Sequence, residues 1–271
     1  MTMSKSMPAT ELNHKPVVVI KLGGSMIDQL TPAFYESLKS LTKMYHCLIV
    51  HGGGPAITAM LDRLHIKGEF HNGLRKTTEE TLEVVQMTMG GQVNAQVTSE
   101  LNRQGIKALG LQGTDAEILT ASLIDEKFLG LVGKVKQVDT AFLIKCMKDD
   151  YVPVIAPLGK TEEGRTVNIN ADTAAAALAN AVQADKLLFV TDVPGIMESG
   201  TLLERTTPEE ITDLITEGTI YGGMIPKVQS AVEALSETLR EVMIVCGSQP
   251  LVENNQIAGT KICLSRKEEV Q

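Results

Sequence analysis

A run of β-branched residues that ends in a glycine turn, met first at residues 17–25 (VVVIKLGGS), is the feature that most limits what this chain can fold into. Four consecutive β-branched residues favour a pleated backbone covered on both faces. The pair Gly23 and Gly24 then permits a turn and a close backbone approach that a Cβ would forbid. Lys21 stands beside that turn, where a bound phosphate would meet it. Read alone, the stretch is more simply a strand end with a solvated lysine and a tight turn than an anion site.

The format recurs. CLIVH at residues 47–51 runs into Gly52, Gly53 and Gly54, followed by Pro55 and a helix-like AITAMLDRL. Between the two strands, Pro32 opens a pattern with Phe34, Leu38 and Leu41 at helical spacing, so the unit reads β-α-β and the sheet reads parallel. Successive amides at a helix N-terminus form a natural anion site, although a tight strand-to-helix turn explains three glycines equally well. The loop is not a Walker A sequence, because GxxxxGK[ST] is absent, and Ile57 stands where GxGxxG needs its third glycine. HGGG also resembles an esterase oxyanion-hole segment, but the chain has no GxSxG nucleophile elbow, which removes a serine hydrolase.

Further along, FHNGLRKTTEE at 70–80 combines an Asn72-Gly73 turn with Arg75, and Thr77 with Glu80 reads as a capping box opening a helix that runs to Arg103. A guanidinium at that junction can grip a carboxylate through two parallel hydrogen bonds; an exposed loop arginine is the plainer alternative. Leu82, Val85, Met89, Val93 and Val97 form the apolar stripe of the helix. Gly90 and Gly91 interrupt it at about 1 kcal/mol each relative to alanine, which points to close packing, against a second subunit among other choices. A strand at 107–111, antiparallel segments at 118–136 and a helix at 140–148 follow, with Asp115, Glu117, Asp125 and Glu126 read as solvated charges. YVPVIAPL supplies another strand, and the turn TEEGR at 161–165 marks a boundary between two lobes.

The second half opens with VNINAD at 167–172, where Asn168 and Asn170 share a strand face and Asp172 stands at the start of an alanine-rich helix, as a cap or as a ligand residue. KLLFVTDVPGIM at 186–197 is again an apolar strand ending in a polar turn. TIYGGMIPK at 219–227 places Lys227 in the first turn of a helix, a position that opposes the helix dipole and makes sense if an anion lies between them. Strands at 242–246 and 261–264 close the fold.

With 271 residues, 43% of them hydrophobic, the chain suits one large α/β domain or two lobes on a shared sheet. A formal net charge of -8 argues against general nucleic-acid binding, and the 4 cysteines, none in CxxC spacing, read as buried thiols rather than a zinc site or disulfide framework. Residues 1–16 are polar and lack a signal-like apolar core, and no later run approaches a membrane span. The expectation is a mobile N-terminal arm on a cytoplasmic protein that binds neither membrane nor nucleic acid.

Two lysines, several glycine-rich turns, an arginine, two asparagines and an aspartate, with no paired general acid and base, suit phosphoryl transfer to a carboxylate. A carboxylate with an ordinary pKa of about 4 needs no base at neutral pH. What it needs is neutralised phosphate charge and alignment.

KLGGS, VHGGGP, NGLRKT, VNINAD, TDVPGI and GGMIPK occur here in the order seen in the N-acetylglutamate kinases of the amino acid kinase family, and the resemblance covers essentially everything after Pro16. KLGG and HGGG are shared widely in that family; NGLR with NxNAD and GGMxxK is more specific. The resemblance implies a three-layer αβα sandwich with an open, mainly parallel central sheet. Residues 17–165 would bind the acyl substrate and form a dimer, and residues 166–271 would bind MgATP. It implies that Lys21 and Lys227 stabilise the transferring phosphoryl group and that Asp172 orients the lysines. Gly24, Gly53 and Gly54 would present amides to phosphate and substrate, while Arg75 and Asn168 would hold N-acetyl-L-glutamate, Arg75 at the α-carboxylate. Asp192, Val193, Pro194, Gly195, Ile196 and Met197, with Thr219, Ile220 and Tyr221, would line the nucleotide pocket. Mg²⁺ would arrive on ATP, with no metal site of the protein's own. The product would be N-acetyl-L-glutamyl 5-phosphate, in arginine biosynthesis.

Arginine-inhibited members of the family carry a longer N-terminal helix that links dimers into hexamers. Only 16 residues precede the first strand here, without an apolar stripe, so the expectation is an arginine-insensitive homodimer built partly on the helix at 78–103. Two competing readings are a kinase of a related protected acid, such as an aminoadipate derivative, and a non-catalytic amino-acid or nucleotide sensor. Loss of Lys21, Lys227 or Asp172 would favour the sensor; all three are present.

Overall fold

The computed structural model describes residues 15–254 and 256–264, so most of the N-terminal arm, residues 1–14, lies outside the described residues. The chain begins with β1 (Val17–Leu22), α1 (Pro32–Met44), β2 (His46–His51) and α2 (Gly54–Arg63). A hairpin of β3 (Phe70–His71) and β4 (Leu74–Arg75) precedes a long helical run of α3 (Glu79–Val85), a π-helical segment (Gln86–Val93) and α4 (Asn94–Arg103). Then come β5 (Ala108–Gln112), β6 (Leu119–Leu123), α5 (Glu126–Leu129), β7 (Val132–Val138), α6 (Ala141–Lys148), β8 (Val152–Ala156), β9 (Leu158–Lys160) and β10 (Thr166–Ile169). The remainder is α7 (Ala171–Ala181), β11 (Lys186–Thr191), β12 (Met197–Glu198), β13 (Thr201–Leu202), β14 (Arg205–Thr206), α8 (Pro208–Thr216), α9 (Met224–Ala234), β15 (Glu241–Cys246), β16 (Val252–Glu253), β17 (Gln256–Ile257) and β18 (Thr260–Cys263).

The main sheet has 8 strands in the order β14-β18-β15-β11-β1-β2-β8-β5, parallel throughout except where β15 meets β18. Alternation along β1 explains why both faces are covered. Val17 and Val19 pack with Leu178 of α7, Leu143 of α6 and Val228 of α9, whereas Val18, Ile20 and Leu22 pack with Phe34 and Leu38 of α1 and Leu101 of α4. This is the expected three-layer arrangement, helices above and below a mainly parallel sheet.

β1 lies between β2 and β11, both parallel to it, so the chain order reverses at β1. Connections leave in opposite directions there and open a crevice beyond the strand ends, the position where open α/β sheets bind ligands. Lys21 and both glycine turns lie at that edge.

Beside the sheet, β10, β7, β6 and β9 close a small barrel. The β6 and β7 hairpin matches the antiparallel reading of the sequence, but closure depends on β10, which pairs parallel with β7 and antiparallel with β9, so the barrel takes strands from both sides of the boundary expected at residue 165. The helix at 78–103 is capped by Thr78, whose hydroxyl accepts from the Thr81 amide, and not by Thr77. Thr77 is buried and its hydroxyl donates to the Arg75 carbonyl at 2.8 Å. Gly90 is explained within the subunit, since a Cβ there would stand 2.8 Å from the Gln112 side chain.

Candidate active site

The two glycine turns are built against each other. A Cβ on Gly24 would lie 2.9 Å from the Gly53 amide nitrogen and 3.0 Å from that of Gly54. Backbone so close leaves no room for any side chain, which is why the turn after β1 needs glycine where it meets the turn after β2.

Lys21 points from the end of β1 to Asp172, with Nζ 2.8 Å from Oδ1. That oxygen is buried and makes no aligned hydrogen bond, so the contact is a close charge pair. Asp172 is not the helix cap. Asn170 caps α7, its Oδ1 accepting from the amides of Asp172 at 2.8 Å and Thr173 at 3.2 Å, and this frees the Asp172 carboxylate to face the lysine from the first turn, where the helix dipole favours it.

Lys227 has a different partner from the one expected. Its Nζ donates to Asp192 Oδ1 at 2.6 Å, and that hydrogen bond holds the Asp192 carboxyl below the usual carboxylate range. Among the described residues Asp172 is paired with Lys21, and Asp192, just past β11, supplies the anion near the α9 terminus.

Arg75 is buried at the end of β4. Its Nη2 donates to the Thr58 hydroxyl at 2.7 Å and to the Gly54 carbonyl at 3.1 Å, and the guanidinium stacks 4.4 Å from the centre of the Phe70 ring. Burial lowers the pKa of the group. An arginine starts so high that it stays cationic. Its Nη1 is buried and has no hydrogen-bond partner among the described residues, a donor held in place with nothing to receive it. Asn168 approaches from β10 and donates to the Thr77 hydroxyl at 3.1 Å, which ties it to the Arg75 backbone through one threonine.

Two cavities meet at these residues. The first, about 180 Å³, is bordered by Arg75, Asn168, Phe70 and Met89, and the second, about 280 Å³, by Gly24, Ser25, Thr191, Asp192 and Lys227. Both share Lys21, Gly52, Gly53, Gly54 and Asp172. The shared wall is glycine backbone with the Lys21–Asp172 pair set in it, the first cavity offers an arginine, and the second offers a lysine held by a carboxylate. Such a pair of chambers can bring an acidic acceptor and a phosphorylated donor together across one lysine.

Of the turn expected to line the nucleotide pocket, only Asp192 borders the second cavity. Ile196 and Ile220 are core residues at 1% and 2% exposure, and the Ile196 amide donates to the Thr260 hydroxyl. Val193, Pro194, Gly195, Met197, Thr219 and Tyr221 are absent from that wall, and the Tyr221 side chain is exposed. Phe70, Thr58, Thr77 and Met89 were not singled out as site residues in the sequence. Thr58 and Met89 carry the periodicity of ordinary helix positions, and only the folded chain brings them to the arginine and the glycines.

A model of the amino acid kinase family matches residues 16–246. An acetylglutamate kinase from Geobacillus sp. (strain WCH70) is 49% identical over 246 residues, covering 90% of this chain and 96% of the relative. Among solved structures, smu.665 from Streptococcus mutans UA159 superposes with a TM-score of 0.78 at 30% identity, covering 92% of this chain and 99% of that one. The carbamate kinase from Giardia lamblia bound to AMP-PNP, at 18% identity and a TM-score of 0.66, shares the fold over 93% of this chain and 99% of its own. Sequence identity of this extent, together with a family match that runs from the first strand to the end of β15, makes the chain a member of the amino acid kinase family.

Proposed function

We propose that this chain is an ATP-dependent acetylglutamate kinase that transfers the γ-phosphoryl group to the γ-carboxylate of N-acetyl-L-glutamate in arginine biosynthesis. The observation that carries the reading is the pair of cavities divided by Lys21 and Asp172, one with an unpartnered buried guanidinium nitrogen and the other with Lys227. Relatives of the same name at nearly half identity support the choice of acceptor.

In this reading the substrate's α-carboxylate meets Arg75, with Asn168 beside it, and its γ-carboxylate reaches the shared wall. One carboxylate oxygen attacks the γ-phosphorus as the bond to the bridging oxygen of ADP breaks, giving N-acetyl-L-glutamyl 5-phosphate. No proton moves, because the acceptor is already ionised. Lys21, oriented by Asp172, and Lys227, held by Asp192, stabilise the charge that redistributes over the phosphoryl oxygens. The backbone of Gly24, Gly53 and Gly54 lets phosphate approach closely.

Among the described residues no group of three His, Cys, Asp or Glu side chains could hold a metal ion, and Asp172 and Asp192 already face lysines. That donor set suits Mg²⁺ carried on the nucleotide phosphates, where it adds charge neutralisation. No helix among the described residues is long and apolar enough to cross a membrane, which fits a cytoplasmic enzyme. A homodimer forms along the helical run at 79–103, where Met87 is 58% exposed. Light scattering should give twice the chain mass, and low concentrations of arginine should leave activity unchanged; a hexamer or arginine inhibition would refute this.

ATP-dependent acyl phosphate formation, trapped with hydroxylamine, tests the central reading. Under Mg²⁺, N-acetyl-L-glutamate should give product well above glutamate, aspartate and N-acetyl-aminoadipate. Product from another acid alone would keep the kinase chemistry and change the substrate, and no product from any of them would overturn the assignment.

A further inference from the structure

His51 ends β2 and directly precedes the three glycines that border both cavities. Its side chain is fully buried, with 0% exposure. Nδ1 lies 2.9 Å from the Gly52 carbonyl oxygen, and Nε2 lies 3.0 Å from Asn94 Nδ2. The same amide nitrogen is 2.9 Å from the Val154 carbonyl and 3.2 Å from that of Leu111. Two backbone acceptors around it fix which end of the amide is the nitrogen. Because that nitrogen can only donate, its two protons being shared among the ring and the two carbonyls with the Leu111 contact the longest, Nε2 accepts, the ring proton sits on Nδ1, and Nδ1 donates to Gly52.

One asparagine at the start of α4 thus ties β2, β5 and β8 together, and one imidazole passes that anchorage to the first glycine of the loop. The π-helical segment makes this possible. Met89 and Asn94 are five residues apart, which in an α-helix would turn them about 140° from each other, whereas the wider π turn stacks such a pair on one side. Met89 Cγ accordingly stands 3.3 Å from where a Cβ on Gly53 would be, while Asn94 reaches His51. The loop is held from one side by packing on Gly53 and from another by a hydrogen bond to Gly52. The second glycine turn, through Gly24, closes the remaining side.

We infer that His51, set by Asn94, is a positioning residue for phosphoryl transfer, its Nδ1 proton holding the Gly52 carbonyl so that Gly53 and Gly54 keep their place at the wall between the cavities. The inference rests on the kinase reading above. The ring is no acid or base in that chemistry: it touches neither cavity, and burial pushes its pKa down to about 4.

The test compares His51→Asn with His51→Gln, and reads the ring nitrogens of the unmodified protein by ¹⁵N NMR. An asparagine can place an amide donor near the Nδ1 position and serve Gly52; a glutamine extends its amide toward the Nε2 position and cannot. Measured per folded molecule well below the melting temperature, His51→Gln should lose about tenfold in kcat, the worth of one buried hydrogen bond. The KM for N-acetyl-L-glutamate should stay within about twofold, and His51→Asn should recover most of the turnover. A purely structural role would lower both melting temperatures and leave kcat per folded molecule alone. Equal turnover in the two variants, a change confined to KM, or an Nε2-protonated ring would overturn the inference. If the unmodified protein shows no kinase activity, the kinase reading fails, and the ring spectrum still decides whether the contact to Gly52 exists.

Discussion

Lys21 and Lys227 stand beside separate carboxylates, and this decides what replacing either one should do. Lys227 is 35% exposed and pairs with Asp192 on the wall of the second cavity, whereas Arg75 borders the first. Lys227→Ala should therefore leave the KM for N-acetyl-L-glutamate within about twofold and lower kcat by about 10²–10³, the cost of one donor aimed at developing phosphate charge. A rise in KM with kcat intact would remove the assigned role. Arg75→Lys should show the opposite emphasis. The planar fork that reaches Thr58, Gly54 and the free Nη1 position is lost while the charge is kept, so KM should rise about tenfold or more with a smaller change in kcat. An unchanged KM would take Arg75 out of the site. At this scale the sequence told the residue types and much of their grouping. Lys21, Asp172, Arg75, Asn168 and the glycines do converge. What it could not tell was pairing over distance: nothing in GGMIPK says that its lysine will find an aspartate 35 residues earlier, and nothing in TDVPGI says that Ile196 turns inward to the core.

Elements were legible where one physical signal dominated. β-branched runs gave the central strands, a proline start gave α1, and the Asn72-Gly73 turn, with both residues at positive φ, gave the hairpin that carries Arg75. The barrel was not legible as a barrel, because β9 and β10 are only 3 and 4 residues long and closure depends on β10 finding a partner 36 residues earlier in β7, Val132 for Asn168. The π-helical segment was hidden for another reason. Its apolar positions continue the stripe of the helix around it, and the widened turn shows only in the hydrogen bonds. The glycine turns make the sharpest prediction at this scale. Gly24→Ala would press a methyl group onto the backbone of Gly53 and Gly54, and neither loop can yield without moving the wall that both cavities share. A displacement near 1 Å costs about 10² in rate, so turnover should fall by about that factor while circular dichroism stays native. Native turnover would show that the turns can separate without consequence.

For the molecule as a whole, these arrangements bury a neutral histidine in the wall behind the site, and that couples its stability to acid. His51 ordinarily titrates near 6.5, and burial pushes it down to about 4. Between those values the unfolded chain binds a proton that the folded chain refuses. Stability from this residue is therefore fully present above about pH 6.5 and is lost as pH falls toward 4. His46, lowered first by burial and then by Lys15, acts in the same direction, as does Asp192, whose partner Lys227 favours its ionised form. At pH 4.5 the His51 share is roughly 2 kcal/mol relative to pH 7, a large part of the margin by which most domains stay folded. Urea unfolding at the two pH values should show the folded state weakening in acid, and His51→Asn, which cannot take up that proton, should lose roughly 2 kcal/mol less over the same interval. An identical acid loss in both proteins would mean that the ring is not held neutral in the folded chain. In that case Nε2 would carry a second proton against the Asn94 amide nitrogen, and the Asn94 side of the anchorage would be lost while Nδ1 still donated to Gly52.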